Sequence, residues 1–255
     1  MVIQISDYLL RNQKTMKRTL FFISIACLMM AFANNCEAQI TFKPYKRTTG
    51  ARCPEGGEAG LTLKFDIPVG EGPRQSKINN GIREIIRRSM VLEVIKRPVT
   101  GPIRNVANSL TTYFPTGIRK GTIDVGCSVS CELLVEKAYQ NNYAVFFHVT
   151  DGVYSNGGPS ESYKIVRVSD GKLMGEQEVF NVKFEDLVRL INKYGTAEQK
   201  DFNESFLMDE VYLSPAAGRC KVLYLYGIHD WETLDVPMSE IERFLTEEGR
   251  KCFGR

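Results

Sequence analysis

The strongest constraint on the fold is a run of short strands separated by turn residues, which extends from residue 122 to residue 174. Residues 143–150 are rich in aromatic and β-branched side chains, which favour strands. Short turns join antiparallel neighbours, whereas a parallel connection needs a crossover of roughly a dozen residues or more. The sequence therefore predicts a largely antiparallel sheet. The turns are predicted at Asp151-Gly152, Asn156-Gly157-Gly158 and Asp170-Gly171.

One alternating strand and two helices precede this run. Residues 61–68 alternate apolar and polar side chains, with the period of a half-buried strand. An amphipathic helix is predicted next, with Ser76 as its N-cap, and a short second helix begins at Ile103 and ends near residue 114. The isoleucines that form the apolar face of the first helix are Ile78, Ile82, Ile85 and Ile86.

Two helices and a hairpin follow the run of strands. Residues 184–195 predict a helix that ends at Gly195, and a hairpin is centred on residues 214–218. A last helix is predicted from residue 239, where Ser239 and Glu242 match the S-x-x-E capping box. This order of elements is typical of the α+β class. We predict a largely antiparallel sheet packed by two to four helices.

Residues 1–38 contain the pattern of an export signal. Residues 16–18 are a basic start, residues 19–33 are apolar, and small residues lead to a cleavage position after Ala38. The apolar stretch is shorter than the roughly 20 residues that a membrane-spanning helix needs. The residues before Met16 fit no part of a signal, so we interpret Met16 as the initiator. We predict export to the periplasm or the extracellular space.

Lipid attachment is the alternative to soluble export. Cys36 follows two asparagines where a lipoprotein signal has small residues, whereas Cys27 fits that pattern but leaves a short apolar core. Attachment at either cysteine would make the chain an outer-membrane lipoprotein. No later apolar stretch has membrane length, so we expect no membrane span.

The charge of the chain excludes one class of partner. Residues 1–38 hold four of the 33 basic side chains and two of the 30 acidic ones, so the remainder carries a net charge of about +1. A nearly neutral chain lacks the basic excess that is typical of nucleic-acid-binding proteins. We therefore expect no nucleic-acid partner.

Five cysteines follow the signal, and export would permit disulfides among them. Two of them form a C-x-x-x-C pair, which lacks the tight spacing of a zinc knuckle, and no second pair or histidine follows at a suitable distance. We predict no metal site and no cofactor. The odd count leaves at least one thiol free or paired outside the chain, and the connectivity stays open. The five are Cys53, Cys127, Cys131, Cys220 and Cys252.

Rare residues cluster at positions 229–231, where one of the two histidines precedes an aspartate and the single tryptophan. The cluster suits a catalytic corner, a metal site or a ligand rim, and it also suits a plain loop. The other histidine, His148, has the pattern of a partly buried structural residue. Because no hydrolase, metalloprotease or nucleotide-binding motif occurs, we predict no enzymatic activity. The rival interpretation is a hydrolase that uses His229 and scattered carboxylates such as Asp66, Asp124, Glu132, Asp151 and Glu161.

Six residues are our candidates for ligand binding. The two tyrosines among them share one face of a predicted strand, and exposed tyrosines offer contact area at low entropic cost. The two arginines belong to a basic patch that suits anionic wall polymers or lipid head groups. A covered sheet face and a solvated helix face are the structural alternatives. The six are Tyr224, Tyr226, His229, Trp231, Arg83 and Arg87.

Three stretches resemble a known family. SYKIVRVSDGKLMGEQEVF (162–180) and LDVPMSEIERFL (234–245) resemble a domain of unknown function that RsiV-type anti-sigma factors share with the non-catalytic region of PdaC-type peptidoglycan deacetylases. FDIPVG and SKINNGIREII, within residues 65–86, resemble the subdomain that precedes it. The resemblance covers roughly residues 61–245. The family's GGAHG segment is replaced here by GGPSES (157–162), so a role tied to that histidine does not carry over.

The resemblance implies an α+β extracytoplasmic domain whose best understood relatives bind a wall-active protein. It implies no enzyme, because the deacetylase chemistry lies in a separate domain. We divide the chain into the signal region (1–38), an extended lead-in (39–60), an N-terminal α+β subdomain (61–138) and a C-terminal subdomain (139–255). We predict an exported binding or sensor-type domain whose ligand is a lysozyme-like protein or a wall glycan. A periplasmic scaffold is a further alternative, and the oligomeric state stays open.

Overall fold

The computed structural model describes residues 39–123, 130–153, 159–196, 211–216, 219–226 and 230–255. At Phe184, at Leu187 and at the strand residues within 211–233 it describes the backbone only. Residues Ile40–Arg255 form one compact unit. The signal region and the turn predicted at residues 156–158 lie outside the described residues.

The described residues contain nine strands and seven helices. The strands are β1 (Phe42–Arg52), β2 (Glu58–Pro68), β3 (Ser130–Gln140), β4 (Ala144–Val153), β5 (Ser160–Arg167), β6 (Leu173–Met174), β7 (Val211–Ala216), β8 (Arg219–Tyr226) and β9 (Asp230–Pro237). The helices are α1 (Pro73–Arg87), α2 (Met90–Ile95), α3 (Ile103–Arg119), α4 (Glu176–Val179), α5 (Phe184–Tyr194), α6 (Met238–Ile241) and α7 (Glu247–Phe253). A 3-10 turn (Glu242–Phe244) follows α6.

The larger sheet has six strands in the order β1-β2-β3-β4-β5-β6. Every neighbouring pair is antiparallel except β2 and β3, which are parallel with Leu61 opposite Cys131 and Phe65 opposite Val135. Helices α1, α2 and α3 lie in the crossover that a parallel pair requires. A second sheet is antiparallel in the order β7-β8-β9. The described residues confirm the α+β class and the largely antiparallel sheet.

Helices α1, α2 and α3 belong to the core on one face of the six-stranded sheet. Leu63 and Phe65 of β2, Phe147 of β4 and Phe114 of α3 are each 0% exposed in this core. The four isoleucines of α1 are at most 4% exposed, which confirms the predicted amphipathic helix. The apolar period of α1 therefore matches the face that it buries.

A second apolar cluster lies on the opposite face of the same sheet. Phe146, the neighbour of Phe147 along β4, is also 0% exposed, and its ring centroid is 5.0 Å from that of Phe253 in α7. Ile165 of β5 and Ile191 of α5 belong to the same cluster. Adjacent strand residues point to opposite faces, so the centre of β4 is covered from both sides.

Two segments are more ordered than the sequence indicated. Residues 39–60 were expected to be an extended lead-in, but β1 pairs with β2 along its whole length, from Phe42 opposite Pro68 to Arg52 opposite Glu58. The second predicted helix continues to Arg119 and contains Pro115. The predicted subdomain boundary at residues 138/139 falls inside β3, and the division itself stays a prediction.

Three local predictions are wrong. Helix α1 is capped by Gly72 rather than by Ser76, because the fixed φ of Pro73 suits the first helical position. Asp151-Gly152 is not a turn but part of β4, since β5 pairs with β4 as far as Asp151. Ser239 forms no capping box, because α6 begins at Met238 and its N-cap position makes no side-chain hydrogen bond.

Other predictions agree with the structure. Helix α5 ends at Tyr194 with Gly195 as its C-cap, and Ala216 lies opposite Arg219 in the β7–β8 hairpin. Three of the seven described helices have more than ten residues, and the four shorter ones take the number beyond the two to four predicted. Among the described residues no helix is long and apolar enough to cross a membrane.

Candidate functional site

Strand β5 has one edge that is only partly occupied. Its inner edge pairs with β4 from Ala144 opposite Arg167 to Asp151 opposite Ser160. Its outer edge pairs with β6 only at Ile165 and Val166, because β6 is two residues long. Within the described part of the chain, no strand continues this pairing beside residues 160–164. We call the outer side of these five residues the β5 edge.

The direction of the backbone groups along β5 follows from two hydrogen bonds. The Arg167 amide donates outward to the Lys172 carbonyl at 2.9 Å, and the Val168 amide donates inward to the Tyr143 carbonyl at 2.8 Å. Amides and carbonyls of alternate strand residues point to opposite edges. Glu161 and Tyr163 are separated from Arg167 by even numbers of positions, so their amides and carbonyls also point outward, at the β5 edge.

The β5 edge forms one side of a cavity of about 380 Å³, which we call the β5 groove. This volume lies within the range that is usual for ligand pockets, roughly 300–1,000 Å³. Residues from six elements line the groove. They are Ile85 of α1 and Arg88 at its C-terminal end, Ser89 and Met90 at the start of α2, Val149 and Asp151 of β4, Ser160 to Ile165 of β5, and Leu173 to Glu176, Val179 and Phe180 around β6 and α4.

Asp151 fixes the wall that α2 contributes to the groove. Its carboxylate accepts hydrogen bonds from the amides of Met90 at 2.6 Å and Val91 at 3.4 Å, while the hydroxyl of Ser89 accepts from the Leu92 amide at 3.3 Å. These bonds satisfy amides at a helix start that would otherwise lack partners. Burial raises the pKa of Asp151, and the two amide bonds oppose that rise. The carboxylate therefore acts as a cap for α2.

Met90 gives the groove an apolar contact point. Its side chain is 48% exposed, although it follows the buried Ser89 and precedes the buried Val91. The only other large apolar side chain with comparable exposure in the described residues is Val69, at 39%, which lines a different hollow. Methionine is enriched at protein interfaces, so this side chain offers an apolar contact to a protein ligand.

The opposite wall of the groove is acidic and aromatic. The ring of Tyr163 is 4.9 Å from that of His148, and Nε2 of His148 is 3.3 Å from Oε2 of Glu161. His148 is half-buried, in agreement with its predicted structural role, whereas the Glu161 side chain is 57% exposed. A carboxylate next to an aromatic face at an open strand edge suits a cationic side chain.

Arg83 and Arg87 fasten α1 to the loop that precedes α3. Arg83 donates to the Gly101 carbonyl at 3.0 Å, and Arg87 donates to the Val99 carbonyl at 3.1 Å. Arg87 also pairs with Glu84 at 3.2 Å. Burial, and then the charge of Arg87, lower the pKa of Arg83. These contacts give both arginines a structural role. The ligand contact predicted for them stays a prediction.

Arg83 also lines a second hollow, of about 730 Å³, between the starts of α1 and α3. Lys43 and Arg104 lie in the same lining, together with Glu71. This hollow is therefore partly basic, and binding of an anionic ligand by the arginines stays a prediction.

Three of the other predicted site residues lie in the second sheet. Tyr224 pairs with Val211 and Glu232, Tyr226 pairs with Asp230, and Trp231 pairs with Leu225. His229 lies outside the described residues, and the side chains of the two tyrosines and of Trp231 are not among those described. Ligand binding by these residues stays a prediction.

Sequence reasoning missed the β5 groove. Glu161 and Asp151 were considered only as scattered carboxylates, and Met90 and Tyr163 were not considered. A partial signal was present, since Gly175 follows Met174 directly and ends β6 as the N-cap of α4. Among the described residues, no group of three or more His, Cys, Asp or Glu side chains could hold a metal ion.

The sequence matches no protein-family model and is similar to no curated protein. Two solved structures have the same fold. A DUF3298 family member from Bacteroides fragilis is 12% identical, with a TM-score of 0.55 over 82% of this chain and 94% of its own. A DUF3298 family protein from Pseudomonas aeruginosa is 11% identical, with a TM-score of 0.53 over 83% of this chain and 97% of its own. The chain therefore shares its fold with proteins of the DUF3298 family.

Proposed function

We propose that this chain is an exported, non-enzymatic domain of the bacterial envelope that binds a protein ligand in the β5 groove. The observation that carries the proposal is the open edge of β5 inside a walled cavity. Export rests on the signal pattern of residues 1–38. The proposal also agrees with the fold, which is shared with DUF3298 proteins from two bacteria.

A protein ligand suits the groove better than a wall glycan. The outward amides and carbonyls of Glu161 and Tyr163 alternate with the spacing of a strand, and a peptide backbone has matching groups at the same spacing. Met90 adds an apolar contact, whereas sugar hydroxyls need polar partners on several sides. A glycan is therefore the second choice.

The resemblance to RsiV-type anti-sigma factors narrows the class of ligand. The best understood relatives in that group bind a wall-active protein, so we propose a lysozyme-like ligand for this chain. The resemblance is carried by the DGK turn of residues 170–172 and the VPMSEI junction of residues 236–241. Both stretches lie in the described structure, as the turn before β6 and as the junction of β9 with α6.

The hydrolase alternative has weaker support. Asp151 is the carboxylate whose burial in the groove raises its pKa, as general acids require, yet both of its oxygens accept amide hydrogen bonds from α2. Glu161 is largely exposed and pairs with His148. A general acid needs a hydrogen-bonding position that faces its substrate, and neither carboxylate has this arrangement.

The test is a direct binding measurement with the chain from residue 39 to residue 255. Calorimetric titration with a c-type lysozyme, and separately with soluble peptidoglycan fragments, distinguishes the protein ligand from the glycan. Met90→Ser should weaken binding of the protein about tenfold, because an apolar contact is lost. Val69→Ser is the matched control, since Val69 is similarly exposed but lies in the other hollow.

Three results would contradict the proposal. Hydrolysis of the peptidoglycan fragments by the purified chain would favour the enzyme. Failure to bind lysozyme or any protein captured from envelope extracts would remove the protein-binding function altogether. An equal loss of affinity in the Met90 and Val69 variants would exclude the β5 groove as the site.

A further inference from the structure

We infer that the protein ligand binds by strand addition: an extended peptide segment pairs with the β5 edge and places a basic side chain beside Glu161 and Tyr163. This inference rests on the proposed function and specifies its mode and its preferred residue type. The ligand segment would continue the line of β6 beside residues 160–164, where no described strand pairs with the outer side of β5.

Strand β6 pairs with only two residues of β5 and does not continue along it. Leu173 and Met174 pair with β5, and the chain then leaves the sheet because Gly175 is the N-cap of α4. An added strand in line with β6 would meet the outward groups of Tyr163 and then those of Glu161. Strand addition of this kind uses main-chain hydrogen bonds for affinity and alternate side chains for specificity.

The side chains on the two faces of the β5 edge favour different residue types in the added strand. Peptide residues beside Tyr163 would share its face of the sheet, where side chains of directly opposed residues are neighbours. That face offers the carboxylate of Glu161 and the ring of Tyr163, which together favour lysine or arginine. Residues on the other face would meet Met90, which favours an apolar side chain.

A second copy of this chain is a poorer occupant of the β5 edge. Pairing of two β5 edges about a two-fold axis would bring Glu161 of one copy close to Glu161 of the other. Like charges on neighbouring strands are destabilising. The exposed carboxylate of Glu161 therefore favours a different, basic partner segment.

The experiment uses an end-blocked heptapeptide of alternating threonine and valine with a central lysine, and the same peptide with a central glutamate or alanine. Wild-type chain should bind the lysine peptide roughly tenfold more tightly than the glutamate peptide. Glu161→Ala should remove most of this preference and leave the alanine peptide unaffected. Glu161→Pro should weaken all three peptides, because it also removes the outward amide.

The two substitutions are a matched pair. Both remove the carboxylate, and only proline removes the backbone donor; edge strands tolerate proline where the amide points away from the sheet. Circular dichroism confirms that each variant is folded. If the proline variant does not fold, amide hydrogen exchange of the wild-type chain decides instead. The lysine peptide should slow exchange at Glu161 and Tyr163 and leave Ser162 and Lys164 unchanged, since β4 already protects those two.

The outcomes separate this inference from the proposed function. If lysozyme or a captured protein binds but the alanine and proline variants bind it equally well, strand addition is refuted and the binding function stands. If no heptapeptide protects Glu161 and Tyr163, strand addition is refuted as well. A further outcome is that sedimentation shows the wild-type chain to be a dimer and Glu161→Pro to be a monomer. That result would assign the β5 edge to a second copy of the chain and refute the inference.

Discussion

Substitution of Gly171 by alanine should destabilise the protein strongly. Gly171 lies in the turn between β5 and β6 at φ +75°, and a Cβ atom there would overlap the main-chain carbonyl of Lys77 in α1. The left-handed conformation alone costs an alanine about 1–2 kcal/mol. Forcing an atom into packed backbone adds about 1–3 kcal/mol. We therefore expect Gly171→Ala to lower the free energy of unfolding by about 2–5 kcal/mol.

Gly101 is a matched control for this substitution. It has almost the same conformation, φ +77°, but an added Cβ atom would meet nothing within 4 Å. Gly101→Ala should therefore cost only the conformational part, about 1–2 kcal/mol. For a domain of this size, 1 kcal/mol corresponds to a shift in Tm of roughly 2–4 °C. We expect Gly171→Ala to lower Tm by about 10 °C and Gly101→Ala by about 4 °C.

The measurement is urea unfolding followed by far-UV circular dichroism, together with a thermal scan of each variant. The slope of the free energy against urea concentration should stay constant, so that the midpoints report stability. Equal losses in the two alanine variants would refute the close contact between the β5–β6 turn and α1.

Three further predictions concern stability and reactivity. The Arg167 guanidinium lowers the pKa of Asp170 to about 2. Because this folded pKa lies below the ordinary value, the stability from the pair is complete above about pH 4 and is lost as pH falls towards 2. The urea midpoint of Asp170→Asn should therefore vary less over that range than the midpoint of the wild-type chain. The Thr246 hydroxyl accepts the Gly249 amide at 2.9 Å, so Thr246→Ala should lower the free energy of unfolding by about 1–2 kcal/mol and Thr246→Ser should restore it. Burial raises the pKa of Cys252 to about 12. Iodoacetamide should therefore label this thiol in urea and leave it unlabelled in the native chain at mildly alkaline pH. Labelling of the native and the unfolded thiol at the same rate would contradict its burial.

Elements with a strong local period could be predicted from the sequence. Strand β2 and helix α1 each bury one face, and the side chains that carry the period, such as Leu63 and Ile82, are fully buried. Helix α5 ends where Gly195 predicts it. In these segments the local pattern and the tertiary structure favour the same conformation, so no long-range information was needed.

Strand β1 shows the opposite case. Its residues include Lys43, Lys46 and Arg47, all exposed, so the alternation that identifies a half-buried strand is weak. It becomes a strand because β2 supplies a partner along its full length. Asp151-Gly152 has turn residues, yet tertiary contacts hold it in β4, where Asp151 caps α2. A sequence pattern cannot show such distant partners.

The β5 groove was hidden for a similar reason. Its defining property is that no described strand pairs with residues 160–164 of β5 on the outer side, and this depends on where the chain turns away after Met174. The side chains that wall it come from residues 85 to 180. The six candidate residues were chosen from the sequence as rare residue types, as tyrosines on one strand face or as basic residues, and none of these properties marks an open strand edge.

The parallel pairing of β2 with β3 has a consequence for how the chain folds. Leu61 meets Cys131 across the pair, so all three crossover helices must be gathered before these strands can join. The antiparallel strands β3 to β6 join residues that are close in sequence and close much smaller loops. Loop-closure entropy and contact order make the distant pairing slow. We expect strands β3 to β6 to assemble early, and the pairing of β2 with β3 to limit the folding rate.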